Sequence, residues 1–281
     1  MSKYKVIVMD MDDTLMNSEN QVSPETQSYL IDIQDKGYKV VLASGRPTEG
    51  MLPVARTLKL NEHESFIISY NGGKTINMTT EEVEVSQSVS KENFDAIVDY
   101  CREKGFLVLT YDEGYIIYDG DHEYMNIESE LTGLPMKRVE DIKSYITHSV
   151  PKVMGVDYVG NITEARIDLN GFFNEEIDVT TSKPFFLEFM ARDVSKGNAI
   201  TALCKKLDIS LEEVIAFGDS LNDQSMLEVV GHAVAMGNAS DELKNIADEV
   251  TLDNNSNGIP HALKRLFLDY FAVCVQSFFP L

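Results

Sequence analysis

KVIVMDMDDTL, residues 5–15, decides how the rest of this 281-residue chain is read. Val6, Ile7, Val8 and Met9 leave no polar face, as in a strand buried on both sides of a parallel sheet. Asp10, Asp12 and Asp13 follow at once. In an open α/β sheet, side chains just past the carboxyl ends of the strands face the crevice where ligands bind, so these acids stand at an expected site. Asp10 and Asp12 share one face of the extended chain by its period of two, with Met11 turned inward. Three like charges in so small a space repel, and without a divalent cation at least one is driven to protonate. The stretch asks for a metal ion.

Composition narrows the partners. The chain is 43% hydrophobic and 25% charged, as in an ordinary globular protein, but its formal net charge is -22. That charge argues against nucleic acid or an anionic membrane as partner, and an anionic substrate must be received by local cations rather than by the global field. The length suits one large domain or two unequal ones. Cys101, Cys204 and Cys274 lack metal-type spacing and read as reduced thiols of a cytoplasmic protein. The first apolar run ends in the acid cluster rather than a cleavage site, so no signal peptide is expected. Leu266 to Leu281 is apolar, yet Asp269 and Gln276 interrupt it and it is short for a membrane span. It reads as a last helix and tail docked on the core or on a second subunit.

Downstream, strands and helices alternate. Ser23, Pro24 and Glu25 open a helix that Gly37 stops. The strand Tyr38 to Ala43 ends in Ser44, Gly45 and Arg46, and a helix from Pro47 to Leu58 must tolerate Pro53. Phe66 to Ser69 is a third strand, ending in Tyr70, Asn71, Gly72 and Gly73; Lys74 to Met78 and Val83 to Val89 alternate as an antiparallel ribbon. Then the character changes. A helix from Lys91 to Lys104, capped by Ser90, precedes two strands around the turn Asp112-Glu113-Gly114, and residues 121–182 are mixed and acidic. From Phe185 the rhythm returns with the strand Phe186 to Met190. Ser195, Lys196 and Gly197 lead into a helix whose bare amides, beside a lysine, make an anion site. Val214 to Phe217 delivers Gly218, Asp219, Ser220, Leu221, Asn222 and Asp223 to the sheet edge; Ala233 to Met236, Val250 to Leu252 and a closing helix from about Pro260 complete the pattern. The expected fold is α/β, a doubly wound, mostly parallel sheet with an inserted α+β unit. Its boundaries are expected at 1–83 and 185–281 for the core and 84–184 for the insertion.

Asp10 with Asp12, Ser44, Lys196, and Asp219 with Asp223 thus arrive at strand ends or a helix start. Phosphoryl transfer through an aspartyl-phosphate requires this set of residue types. One carboxylate attacks phosphorus, another protonates the leaving oxygen, a lysine and a hydroxyl bind the transferring oxygens, and further acids hold Mg²⁺.

The segments DMDDT (10–14), ASGR (43–46), SKG (195–197) and GDSLND (218–223) resemble the four motifs of haloacid dehalogenase-superfamily phosphatases, over nearly the whole chain. The insertion after Asn71-Gly72, the SKG lysine and MGNA (236–239) are similar to the Cof-type sugar-phosphate phosphatases with a large C2 cap. The resemblance implies that Asp10 is nucleophile and Mg²⁺ ligand, and that Asp12 is general acid/base and lends its backbone carbonyl to the metal. It implies that Thr14 supports the loop, that Ser44 and Lys196 hold the phosphoryl group, and that Asp219 binds the metal with Asp223 in or just behind its shell. Gly45, Arg46, Asn71, Gly72 and Asn222 are implied near the substrate, a small phosphorylated metabolite, in a monomer or homodimer. Asp13 stands where Gly is frequent in the superfamily, and Ile259-Pro260 where relatives usually continue Gly-Val-Ala.

Two rivals use similar residues. A receiver-like phospho-acceptor also sets an Asp, metal-binding acids, a hydroxyl and a Lys at a parallel sheet edge, but needs no acid two residues after its acceptor and no inserted domain. A phosphomutase uses the same site and differs in its product.

Overall fold

The strand Val6–Met9 (β1) lies inside an eight-stranded sheet, with its four residues buried. The computed structural model describes residues 3–267. From β1 the chain runs through α1 (Pro24–Asp35), β2 (Lys39–Ala43), α2 (Thr48–Thr57), β3 (Phe66–Ser69), β4 (Lys74–Asn77) and β5 (Val83–Ser86). It then builds α3 (Lys91–Lys104), β6 (Leu107–Asp112), β7 (Tyr115–Tyr118), α4 (Ile127–Thr132), β8 (Met136–Arg138), α5 (Ile142–Tyr145), β9 (Val153–Val156), α6 (Val159–Leu169), β10 (Ile177–Thr180) and β11 (Phe186–Ala191). Last come α7 (Lys196–Leu207), β12 (Val214–Gly218), α8 (Gln224–Leu227), β13 (His232–Ala235), α9 (Asp241–Ile246), β14 (Glu249–Val250) and a helix over 258–267.

The larger sheet has the order β14-β13-β12-β1-β2-β3-β4-β5, parallel from β14 to β3, with β4 antiparallel to β3. Because successive side chains of a strand point to opposite faces, β1 feeds two cores. Ile7 and Met9 join Val40, Leu42, Leu30, Ile33, Met51 and Leu263 on one face; Val6 and Val8 join Val41, Ala216, Ile200, Leu203 and Leu243 on the other. Helices therefore cover both faces, the doubly wound arrangement. Ser23 starts α1 by accepting the Thr26 N–H at 3.1 Å, with Pro24 at the first position, where its missing N–H costs nothing. Pro53 is accommodated inside α2, and Thr57 Oγ1 returns a hydrogen bond to the Pro53 carbonyl at 2.9 Å.

A six-stranded sheet, order β10-β11-β9-β6-β7-β8, belongs to a second unit with its own core of Phe94, Ile97, Val108, Ile117, Leu187 and Phe189. The described residues divide into 3–45, 51–85 and 195–267 in the first unit and 46–50 and 86–194 in the second. This corrects the expected boundary at 184/185. Phe186–Ala191 pairs antiparallel with β9 and β10, so the chain re-enters the first unit at Ser195. An apolar run such as FLEFM suits the interior of either sheet, and only its pairing partners say which. The second ribbon strand also ends early, at Ser86, and Val89 forms an isolated bridge to Val150.

Among the described residues no helix is long and apolar enough to cross a membrane. Tyr270 to Leu281, including Cys274, lies outside the described residues.

Candidate active site

Parallel pairing brings the first acids together. Met9 is in register with Leu42 on one side and Phe217 on the other, so the residues after β1, β2 and β12 emerge at one edge. The Asp10 N–H donates to the Phe217 carbonyl at 3.0 Å, and Ser44 N–H donates to Ile68 O at 2.8 Å. After Asp10 the chain coils tightly, closed by the Met16 N–H on the Met11 carbonyl at 2.9 Å. Within that coil Asp12 is extended (φ -74, ψ 128) and Asp13 left-handed (φ 58). Thr14 reaches across to donate to Asp219 Oδ1 at 2.6 Å.

Lys196 is the first residue of α7 and is wholly buried. Its Nζ lies 2.5 Å from Asp10 Oδ1 and 2.6 Å from Asp223 Oδ1. Its approach depends on Gly197, where a Cβ would stand 2.1 Å from the Ser225 carbonyl. Gly72 does similar work with φ +112, since a Cβ there would meet the Ser195 carbonyl at 2.3 Å. Asp223 is anchored through its other oxygen, which accepts the Asp219 N–H at 2.9 Å and the Ser220 N–H at 3.1 Å. One carboxylate oxygen from each of Asp10, Asp219 and Asp223 lies within 4.8 Å of the others.

Burial raises the Asp10 carboxyl to about 7, against the pull of Lys196 and with added repulsion from Asp223 and Asp219. Asp219 is raised to about 6, again by burial first, in spite of the hydrogen bond from Thr14. Burial also works against the Lys196 ammonium, but Asp10 and Asp223 together outweigh it and hold it above its ordinary range. Three acids thus gather, two of them paired to one lysine, and Asp10 and Asp219 are reluctant to ionise. A small, hard divalent cation suits this all-oxygen set and supplies the missing positive charge. Asp10, Asp219 and Asp223 are the side chains able to hold it.

The other expected residues fall into two groups. Ser44 is buried, and its carbonyl accepts the Asn71 N–H at 2.9 Å. A Cβ on Gly45 would lie 3.2 Å from the Asn71 amide, and Asn222 Nδ2 donates to Asn71 Oδ1 at 3.3 Å. Asn71 and Asn222 thus meet at the edge that carries Ser44. The carboxylate of Asp12 is exposed and outside the Asp10–Asp219–Asp223 group, and Arg46 groups with the second unit.

Comparison with known proteins gives the chain a family. The family of haloacid dehalogenase-like hydrolases matches residues 7–263. The chain belongs to this family. It is a phosphatase: phosphatase YwpJ of Bacillus subtilis is 30% identical over 288 residues, covering 93% of this chain and 99% of that protein. Another relative from Bacillus subtilis, 5-amino-6-(5-phospho-D-ribitylamino)uracil phosphatase YcsE, is 28% identical, covering 94% and 96%. The crystal structure of a haloacid dehalogenase-like hydrolase from Bacteroides thetaiotaomicron is similar with a TM-score of 0.88 at 36% identity, covering 94% of this chain and 99% of that one.

In this haloacid dehalogenase-like phosphatase, two asparagines escaped the reading of the sequence as contributors to the loop after Asp10. Asn238 Nδ2 donates to the Asp13 carbonyl at 2.8 Å, and Asn254 Nδ2 donates to the Met16 carbonyl at 3.0 Å. MGNA served only as a family signature and Asp253 to Gly258 only as a turn. The contacts span more than two hundred residues of sequence, and no local pattern signals them.

Proposed function

We propose that this phosphatase hydrolyses small phosphorylated metabolites, sugar phosphates foremost, by way of an aspartyl-phosphate on Asp10, with Mg²⁺ as its cofactor. The observation that carries the reading is the grouping of Asp10, Asp219 and Asp223 within reach of one cation, with the buried Lys196 paired to Asp10 and Asp223. Asp10, Asp219 and Asp223, with the Asp12 carbonyl, are the proposed holders of Mg²⁺, which when bound offsets the repulsion between an anionic nucleophile and an anionic phosphate.

The protein's own groups then have distinct tasks. An Asp10 carboxylate oxygen attacks phosphorus, and the bond from phosphorus to the ester oxygen breaks. Asp12, on extended backbone two residues on, hands its proton to that departing oxygen and so releases an alcohol. In the second displacement Asp12 takes a proton from water, the water oxygen bonds to phosphorus, and the bond to Asp10 breaks, freeing phosphate. Lys196 and Ser44 bind the transferring oxygens, while Thr14 and Asp223 hold the surrounding loops by the hydrogen bonds described. Asn71 and Asn222, with Gly45, Gly72 and Arg46, are proposed to receive the rest of the substrate. The inserted unit is proposed to select the leaving group. We place the enzyme in the cytoplasm, as a monomer or homodimer.

Phosphate release measured across a panel of sugar phosphates, with 5-amino-6-(5-phospho-D-ribitylamino)uracil included, tests the reading. Release that needs Mg²⁺ and vanishes in Asp10→Asn supports it. Full turnover in excess chelator, or by Asp10→Asn, overturns it, and isomerised product in place of free phosphate makes the enzyme a mutase.

A further inference from the structure

Asn238 has no task in the proposed mechanism, yet its side chain joins two loops. Nδ2 donates to the Asp13 carbonyl at 2.8 Å, and Oδ1 accepts the Asn254 N–H at 3.1 Å. The orientation of the amide is determined, because a carbonyl can only accept and an N–H can only donate. Asn254 extends the bridge: its own Nδ2 donates to the Met16 carbonyl at 3.0 Å in a buried position. Two carbonyls of the coil after Asp10 are therefore held from the distant segments 236–240 and 253–258.

The Asp13 carbonyl lies where the backbone needs holding. Asp13 is left-handed at φ 58, a conformation that an L-residue with a Cβ adopts at a cost, and the peptide after it leads directly to Thr14. Thr14 in turn donates to Asp219. The segment that carries Asn238 also grips the Asp219 loop, since the Met236 N–H donates to the Gly218 carbonyl at 2.9 Å and the Ser240 N–H to the Asp219 carbonyl at 3.0 Å. A Cβ on Gly237 would lie 2.8 Å from Asp253 N, so 236–240 and 253–258 approach as closely as backbones allow. Asp10 and Asp219, which follow different strands, are thereby referred to one short segment.

We infer that Asn238 is a positioning residue for divalent cation binding: by holding the Asp13 carbonyl it sets the loop after Asp10 relative to Asp219. The inference rests on the proposed metal site at Asp10, Asp219 and Asp223. Asn238→Leu keeps most of the volume and removes both hydrogen bonds. Asn255→Ala removes an acceptor for Ser18 N–H and Oγ and a donor to Asn254 Oδ1 at 3.3 Å, leaves both Asn238 hydrogen bonds in place, and serves as control.

Titration calorimetry of the full chain with Mg²⁺, together with thermal melts in chelator, tests the assignment. Asn238→Leu is expected to weaken Mg²⁺ binding about tenfold, equivalent to about 1.4 kcal/mol. The Mg²⁺ concentration for half-maximal phosphate release should rise by the same factor, with kcat at saturating Mg²⁺ within about threefold of wild type, close to the rate equivalent of RT. Asn255→Ala is expected to bind Mg²⁺ as wild type does, and both variants to melt in chelator close to wild type. Wild-type affinity in Asn238→Leu overturns the inference, as does a loss of affinity equal in the two variants or accompanied by an equal loss of metal-free stability. A wild-type chain that binds no Mg²⁺ overturns the metal reading and this one together, so the two failures are distinct.

Discussion

The Nζ of Lys196 sits 2.5 Å from Asp10 Oδ1 and, with no exposed surface of its own, also touches Asp223 at 2.6 Å. A lysine buried between two acids carries the local positive charge that a chain of net charge -22 does not supply globally. Lys196→Met is expected to lower kcat by about 10²–10³, as loss of an electrostatic stabiliser does. It leaves Asp10 and Asp223 without their cation, and breaking a buried pair this way costs about 3–5 kcal/mol. Urea unfolding in chelator should show that loss, with much of it recovered on adding Mg²⁺. Wild-type turnover by this variant would remove Lys196 from the mechanism.

The raised carboxyls make metal-free stability depend on pH in an unusual direction. In the folded chain Asp10 is raised to about 7 and Asp219 to about 6, against an ordinary value of 3.8. Above pH 3.8 the unfolded chain has given up these protons while the folded chain still holds them, so stability falls as pH rises through 4 to 7 and then levels. Denaturant unfolding in chelator at pH 5 and pH 8, compared between wild type and Asp10→Asn, isolates the Asp10 contribution. The variant should show the shallower fall, and saturating Mg²⁺ should flatten the wild-type curve.

Asp12→Asn separates proton transfer from nucleophilic attack. The loss should be about 10²–10⁴ for a sugar phosphate, whose alkoxide leaves poorly, and far smaller for an activated aryl phosphate, which needs no acid to depart. Steady-state kinetics on both substrates measures the split, and equal losses would exclude general acid work by Asp12.

In the inserted unit, Lys152 Nζ pairs with Glu188 Oε1 at 2.8 Å, and Ser182 Oγ reaches the same oxygen at 2.6 Å. Lys152 and Glu188 are both buried. Glu188→Ala strands a buried ammonium and should cost about 3–5 kcal/mol, while Lys152→Met combined with Glu188→Leu should be near neutral. Urea unfolding of the single and double variants tests this. A small loss in the single variant would mean that Lys152 finds another partner among Glu128 and its neighbours.

Much of this enzyme is legible in the chain itself. A doubly polar-free run such as Val6 to Met9 buries itself wherever it folds, and Asp10 follows it by covalent connection, so the strand and the place of its acids need no tertiary information. Ser23 and Ser90 are legible as helix caps for the same local reason: each hydroxyl meets an N–H three residues on. Phe186 to Met190 was legible as a strand but not as a member of the six-stranded sheet, because an apolar run does not name its partners.

By itself, then, the sequence determined the strands of the larger sheet, several helix caps and the order in which acids, hydroxyl and lysine reach strand ends or helix starts, but not the strands between 121 and 182. Only tertiary structure decided that Lys196 lies between Asp10 and Asp223, that Thr14 meets Asp219, and that Asn238 holds Asp13 from 225 residues away. The division is physical. Local geometry follows from torsional preference and neighbouring side chains, whereas these contacts exist only after parallel strands distant in sequence have paired and brought their ends to one edge.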